Sequence, residues 1–354
     1  MAAQDFSKLY YRTSNCLTSD IIADFAPVSR VTGVDTSSGM GVVFTAMGTR
    51  FDMQYVAKEA FTATDSYEAD TRSIDDTPVA EVMRYVRSEI IGGGHVPEEY
   101  RALTQKVLDG DTVYAGYQEC KKGEEGDVLF LISPAAADAQ KSADNFLAVA
   151  GKAGRKAYGT NEYKDAGYLL LALGQTEKAN KIADAMRDAL GKYQEVVTDD
   201  GYVLDALLIQ FPEMADKIRF IDEFLAECGA CSEKSGKVVV HESGIVQRLY
   251  PGRRVDYQKI FKEAKRQFYA GVKAEMEQVV LPARSGYDVS DSGMAGGLGL
   301  MEPGILAAVS GRRMMDLAAP AHDVIVTPCA CEAAGLNCAE KEKVVTLLDY
   351  VCGE

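Results

Sequence analysis

Val128-Leu-Phe-Leu-Ile132 is an unbroken apolar run with no polar position inside it. A strand open to water on one face alternates apolar with polar residues, whereas a strand covered on both faces does not. The run therefore predicts a strand inside a parallel sheet that has helices on both sides. Before it, Lys121-Lys-Gly-Glu-Glu-Gly126 reads as a polar linker, so a new unit begins near residue 113. After it, the pattern predicts helix over roughly 136–153, a glycine-bearing turn at 154–159 and a helical region over 163–190. A short strand Glu195–Thr198 and more helix to about 227 follow. Strand and helix in alternation make an α/β fold with mostly parallel strands.

The same order returns further along. Val238–Val240 reads as strand, Asp256–Glu277 as helix and Val279–Leu281 as strand. A glycine loop at 291–299, helix Glu302–Leu317 and strand Val324–Thr327 complete it. Val196-Val-Thr-Asp-Asp-Gly-Tyr202 lines up with Ile325-Val-Thr-Pro-Cys-Ala-Cys331, and Ala157-Tyr-Gly159 with Asp291-Ser-Gly293. Two anchors in the same order predict an internal duplication, with one module over 113–233 and a second over 234–354.

Residues 1–112 form the remaining unit. Thr77-Pro78 is a helix start, with threonine as N-cap and proline in the first turn. Val79, Val82, Met83, Val86 and Ile90 then recur at helical spacing, and Gly92-Gly-Gly94 ends the helix. A second helix is expected over Glu98–Leu108, and Thr32–Gly48, rich in Gly, Ser and Thr, as loop with one strand.

The 354 residues carry a net charge of −15, which disfavours a nucleic-acid backbone or an anionic lipid surface as the main partner. The longest apolar runs are too short to span a bilayer. The first residues, MAAQDFSKLYYR, lack the apolar core of a secretory signal. A cytoplasmic location without a direct membrane span is the expectation. Eight cysteines at irregular intervals do not make a disulfide framework.

Cys16, Ser19, Ile22, Ala26 and Pro27 keep the spacing C-x2-C-x2-C-x3-C-P that wraps a cubane iron–sulfur cluster, with one thiolate left. On these positions and the duplicated plan, the chain resembles the heterodisulfide-reductase-like family, which joins a ferredoxin-like domain to two cysteine-rich CCG domains. The resemblance places a second ferredoxin motif on Phe61, Thr64, Tyr67 and Thr71, with Arg72 in place of proline. It places Ser133 at a strand-end cysteine, Ala157-Tyr158-Gly159 at the Cys-Cys-Gly turn, and Asp199 and Tyr202 at the final pair of the first module. In the second module His241-Glu-Ser-Gly244 and Asp291-Ser292-Gly293 hold the corresponding places, Pro328 replaces a ligand, and Cys331 remains. The fold implied is two CCG-type α/β modules with short parallel sheets, preceded by a mostly helical, degenerate ferredoxin-like domain.

So few thiolates exclude a four-thiolate cluster at these motifs. The resemblance then implies a non-catalytic structural or docking subunit of an electron-transfer complex, without cofactor. Its partners would be cluster-bearing or flavin-containing oxidoreductase subunits. The alternative is a thiol- or metal-dependent oxidoreductase. Cys228-Gly-Ala-Cys231, His241, Cys329 and Cys331 are candidate ligands for zinc or one iron–sulfur cluster in the C-terminal half, or are buried small hydrophobes. His241, at a strand end, suits either chemistry or turn capping. Gly286–Gly299 is glycine-rich but matches no phosphate-loop pattern.

Overall fold

The computed structural model describes residues 26–34, 38–49, 52–63, 79–230, 237–249, 279–280, 282–284, 289–290, 292–297, 301–340 and 342–353. The chain divides into two compact units. The first comprises Met1–Val113, Leu169–Lys178 and Ser290–Arg313; the second comprises Tyr114–Tyr168, Ala179–Val289 and Met314–Glu354.

The described part of the first unit is helical: α1 (Pro27–Thr32), α2 (Gly39–Gly48), α3 (Ala57–Thr62), α4 (Val79–Gly92) and α5 (Glu98–Leu108). The apolar stripe of α4 is buried as its spacing requires. The segment expected as loop with a strand, Thr32–Gly48, contains α2 instead. Its small residues serve close packing: a Cβ on Gly39 would stand 2.8 Å from Val79 Cγ1. Its hydroxyls bond inside the helix, with Ser38 Oγ accepting from Gly41 N at 2.9 Å and Thr45 Oγ1 donating to Gly41 O at 2.9 Å. Arg87 of α4 is fully buried and pins this unit together. Its guanidinium donates to the carbonyls of Ala60 (2.8 Å), Ala63 (2.7 Å) and Ala172 (3.0 Å). Phe61 lies in α3, buried beside Tyr100. Cys16, Ser19, Ile22, Thr64, Tyr67, Thr71 and Arg72 lie outside the described residues.

The second unit carries the sheets. Its first stretch runs β1 (Lys121–Gly123), β2 (Val128–Leu131), α6 (Ala139–Lys152) and β3 (Ala157–Thr160). After α7 (Tyr168–Ala172), which ends in the first unit, come α8 (Thr176–Gly191), β4 (Glu195–Thr198), α9 (Gly201–Gln210), β5 (Ile218–Phe220) and α10 (Ile221–Glu227). The second stretch runs β6 (Val238–Val240), α11 (Gly244–Leu249), β7 (Val279–Val280), α12 (Pro303–Ala318, which belongs to the first unit as far as Arg313), β8 (Val324–Thr327), α13 (Ala330–Asn337), β9 (Val344–Thr346) and α14 (Leu347–Val351). Asp256–Glu277, expected as helix, lies outside the described residues.

One sheet has the order β1-β3-β2-β4-β5 and the other β7-β6-β8-β9. All pairings are parallel except that of β1 with β3. The chain is therefore a mixed α/β protein with two small sheets. Val128–Leu131 is buried at every position, and Phe130 stacks on Phe146 of α6, which stacks on Phe224 of α10. Burial of each ring stabilises by about 2–3 kcal/mol. The second sheet packs Val239, Ile325 and Val344 against Met314, Leu317, Ala333 and Leu336.

Strand order β3-β2-β4-β5 repeats as β7-β6-β8-β9. Leu131 pairs with Thr198 in one sheet and Val240 with Val326 in the other, so one step further places His241 opposite Thr327. Leu131 then corresponds to His241, and Ser133 to Ser243. Thr198 and Thr327 each end a strand and accept from the amide two residues on, Asp200 N at 3.2 Å and Cys329 N at 3.3 Å. The other sequence anchor needs correcting. Ala157–Gly159 belongs to β3 rather than to a turn, and by register Ala157 matches Val279. The left-handed glycine after β3 is Gly167 (φ 84°), the counterpart in conformation of Gly293 (φ 93°). The helical region 163–190 is also interrupted, at Gly174 (φ 69°), where a Cβ would stand 2.0 Å from Arg84 O.

Candidate functional site

In parallel α/β sheets, chemistry gathers where strands end. β4 ends in Thr198-Asp199-Asp200 and β8 in Thr327-Pro328-Cys329, and each leads straight into a helix. Asp200 is the N-cap of α9: its Oδ1 accepts from Tyr202 N at 2.8 Å. Cys329 holds the same place before α13.

The two helix starts meet. Ala330 N, the first amide of α13, donates to Asp199 O at 2.8 Å. Gly201 N, the first amide of α9, donates to Cys329 Sγ at 3.3 Å. Each helix thus has its first orphan amide satisfied by the other half. Ser133, beyond β2, closes the junction from the side. Its amide donates to Asp199 Oδ1 at 2.8 Å and its hydroxyl to Asp200 Oδ2 at 2.6 Å.

Both carboxyls are fully buried. Burial pushes Asp199 up to about 8, against the Ser133 amide and with the neighbouring Asp200 adding to the rise. Burial also pushes Asp200 up to about 6, against the Ser133 hydroxyl and the amides of Tyr202 and Val203. The thiols of Cys329 and Cys331 and the phenol of Tyr114 are pushed well above their usual ranges, again chiefly by burial. The first two stay thiols, not thiolates, at neutral pH.

Beside them lies a second buried group. His241 Nε2 is 2.9 Å from Glu332 Oε2, and Ser243 Oγ donates to Glu332 Oε1 at 3.0 Å. His241 N donates to Val326 O at 2.8 Å, which fixes the residue on its strand.

The sequence candidates separate into two groups. Cys329, Cys331 and His241 come to one end of the sheets, His241 through its contact with Glu332. Cys228 does not join them. It follows α10, and its thiol is pushed up by burial with Arg155, Glu227 and Glu195 as charged neighbours. Glu195 begins β4, so Cys228 lies at the strand-start edge. The reason is directional: α10 runs back from the strand ends before Cys228 is reached. Cys231 lies outside the described residues, as does Asp291. Among the described residues, no group of three or more His, Cys, Asp or Glu side chains is placed to hold a metal ion. Carboxyls, hydroxyls and two protonated thiols do not fit a thiolate-held cluster.

Asp200, Glu332, Ser243 and Tyr114 were not candidates from sequence. Only Asp200 left a signal there, an acid immediately before Gly201 and an apolar run, the mark of a helix N-cap. Chemically, the arrangement can hold and release protons, but its groups are closed to solvent. A scan of protein-family models finds no match to the chain, and a search of curated proteins finds no similar sequence.

Proposed function

We propose that the protein is a non-catalytic docking subunit of a heterodisulfide-reductase-like electron-transfer complex. It would pack against cluster-bearing or flavin-containing subunits, with 1–112 as a degenerate ferredoxin-like domain and 113–233 and 234–354 as CCG-like modules. The observation that carries this reading is the repeated strand order with side-chain hydrogen bonds at the strand ends, where the family resemblance calls for thiolates. A fold kept in order and sealed by Ser133–Asp200 and Ser243–Glu332 suits a surface-bearing role better than a reaction chamber. No described helix is long and apolar enough to cross a membrane, in keeping with a peripheral position.

Affinity purification at native expression tests it. Co-purification of iron–sulfur or flavin oxidoreductase subunits in fixed proportion is the expected result, and a protein recovered alone in every preparation overturns it. The thiol- or metal-dependent alternative rests on Cys329 and Cys331 being buried in one cluster at the start of α13. Near-stoichiometric iron with sulfide, or zinc lost on Cys331→Ser, would favour that alternative.

A further inference from the structure

Asp199 touches three strands' worth of structure at once. Its backbone carbonyl receives Ala330 N from the second half, and its Oδ1 receives Ser133 N from the end of β2. Its Oδ2 is buried with no hydrogen-bond partner. A buried carboxylate oxygen without a donor is costly as an anion and tolerable as a neutral acid.

The surroundings favour the neutral form. Asp200 stands next in the chain, and Asp349 of α14 adds negative charge on Asp199. Asp165, after β3, Tyr114, Cys329 and Cys331 face the same cluster. Glu332 of α13 adds a further acid, joined to His241 of β6. Asp205 of α9, Asp222 of α10 and Glu242, just after β6, are further buried acids on elements packed nearby. The cations Arg155 and Arg219 are held by Glu195 at the opposite edge of the sheet.

We propose that Asp199 is a proton-operated latch between the two sheets of this unit. With its carboxyl protonated, the starts of α9 and α13 stay docked; ionisation loosens the junction and uncovers Cys329 and Cys331. Opening lets water reach Oδ2, at the cost of the bonds Ala330 N–Asp199 O and Gly201 N–Cys329 Sγ.

The sign follows from linkage. The closed form holds its proton up to about pH 8, and an opened, hydrated aspartate releases it near 4. Opening therefore gains about tenfold per pH unit between those values and levels off above the higher one. Asp200 shares this behaviour only up to about 6. Between pH 6 and 8 the dependence belongs to Asp199. This inference does not depend on the docking role.

Alkylation of the full-length protein with N-ethylmaleimide, mapped by mass spectrometry, tests it. Labelling of Cys329 and Cys331 is scaled to the exposed Cys338 in the same molecule, which removes the reagent's own pH dependence to first order. The scaled rate should rise from pH 6 to 8 by up to about a hundredfold. In Asp199→Asn, whose amide imitates the protonated acid, it should rise by less than about threefold, the residual expected once the linked group is removed. The buried Cys120 should stay protected throughout. An equal rise in Asp199→Asn, no rise in the wild type, or labelling of Cys120 in step would each overturn the latch. Should that variant not fold, the carboxyl 13C signal of Asp199 in the wild type decides. Titration near 8 supports the latch, and titration in the usual aspartate range refutes it.

Discussion

Ser133 and Ser243 occupy equivalent places beyond β2 and β6, and each gives its hydroxyl to a buried acid. Ser133 Oγ is 2.6 Å from Asp200 Oδ2, and Ser243 Oγ is 3.0 Å from Glu332 Oε1. The acids themselves are not equivalent. Asp200 is the N-cap of α9, whereas Glu332 sits in the first turn of α13, where Cys329 has taken the capping position. The serine is the constant part, and the acid has moved by one helical turn's reach to meet it.

Ser133→Ala removes the only side-chain donor to Asp200 Oδ2 in this pair. A buried carboxylate that loses a hydrogen bond costs about 1–3 kcal/mol. Asp200 ionises in the folded protein at about 6, so the loss should be larger at pH 8 than at pH 5. Urea unfolding of both proteins at the two pH values measures it. Equal losses would show that the hydroxyl does not serve the anion.

Gly201→Ala should destabilise the second unit by about 1–3 kcal/mol through overpacking. The added Cβ would lie 2.4 Å from Ile245 Cγ2 and 2.9 Å from Ser243 Oγ. Ile245→Ala in the same chain removes the nearer atom, so the double variant should lose less than the two single losses added together. Thermal unfolding of the four proteins gives the coupling; strict additivity would mean that the glycine is there for another reason.

His241→Ala leaves the buried Glu332 carboxyl without its imidazole neighbour and should cost about 1–3 kcal/mol. Replacing both members by leucine should recover much of that loss, since exchanging two buried polar partners for apolar groups of similar shape is nearly neutral. Guanidinium unfolding is the measurement. A double variant as weak as the single one would place the importance of His241 in its other contacts.

Arg87→Met should loosen the first unit while sparing the sheets. Three buried carbonyls lose their donors, each worth about 1–3 kcal/mol. Amide exchange followed by mass spectrometry should show lost protection in α3 and α4 and unchanged protection in β2 and β4. Uniform loss over the whole chain would contradict so local a role.

Much of the fold was legible because each of its central strands carries an uninterrupted apolar run. Val128–Leu131, Glu195–Thr198, Val238–Val240 and Val324–Thr327 all form strands, α4 ends at Gly92 as expected, and α5 keeps its expected limits, while Thr77-Pro78 lies outside the described residues. Of the edge strands only β7 was legible, from Val279–Val280. Ile218–Phe220 and Val344–Thr346 are three residues each, and tertiary pairing rather than local pattern makes them strands. Ala157–Gly159 misled because a glycine there suggests a turn. In the structure a Cβ at that glycine would stand 3.5 Å from Ala143 Cβ, an ordinary contact, so neither a turn nor a close approach requires glycine there. At the site, the cysteines and His241 stood out by residue type. Asp199 drew notice only for the ligand position that the family resemblance gave it. Its orphan oxygen and the exchange of amides between α9 and α13 depend on residues about 130 positions apart, beyond any local reading.

That exchange makes each half the other's missing end-piece. Cut the chain in the stretch before Val238 and neither fragment retains partners for all of its own backbone amides. Two separately expressed pieces should therefore be poorly soluble alone yet reassemble when produced together, and an insertion that lengthens the connection should be borne more easily than any change that separates Gly201 from Cys329.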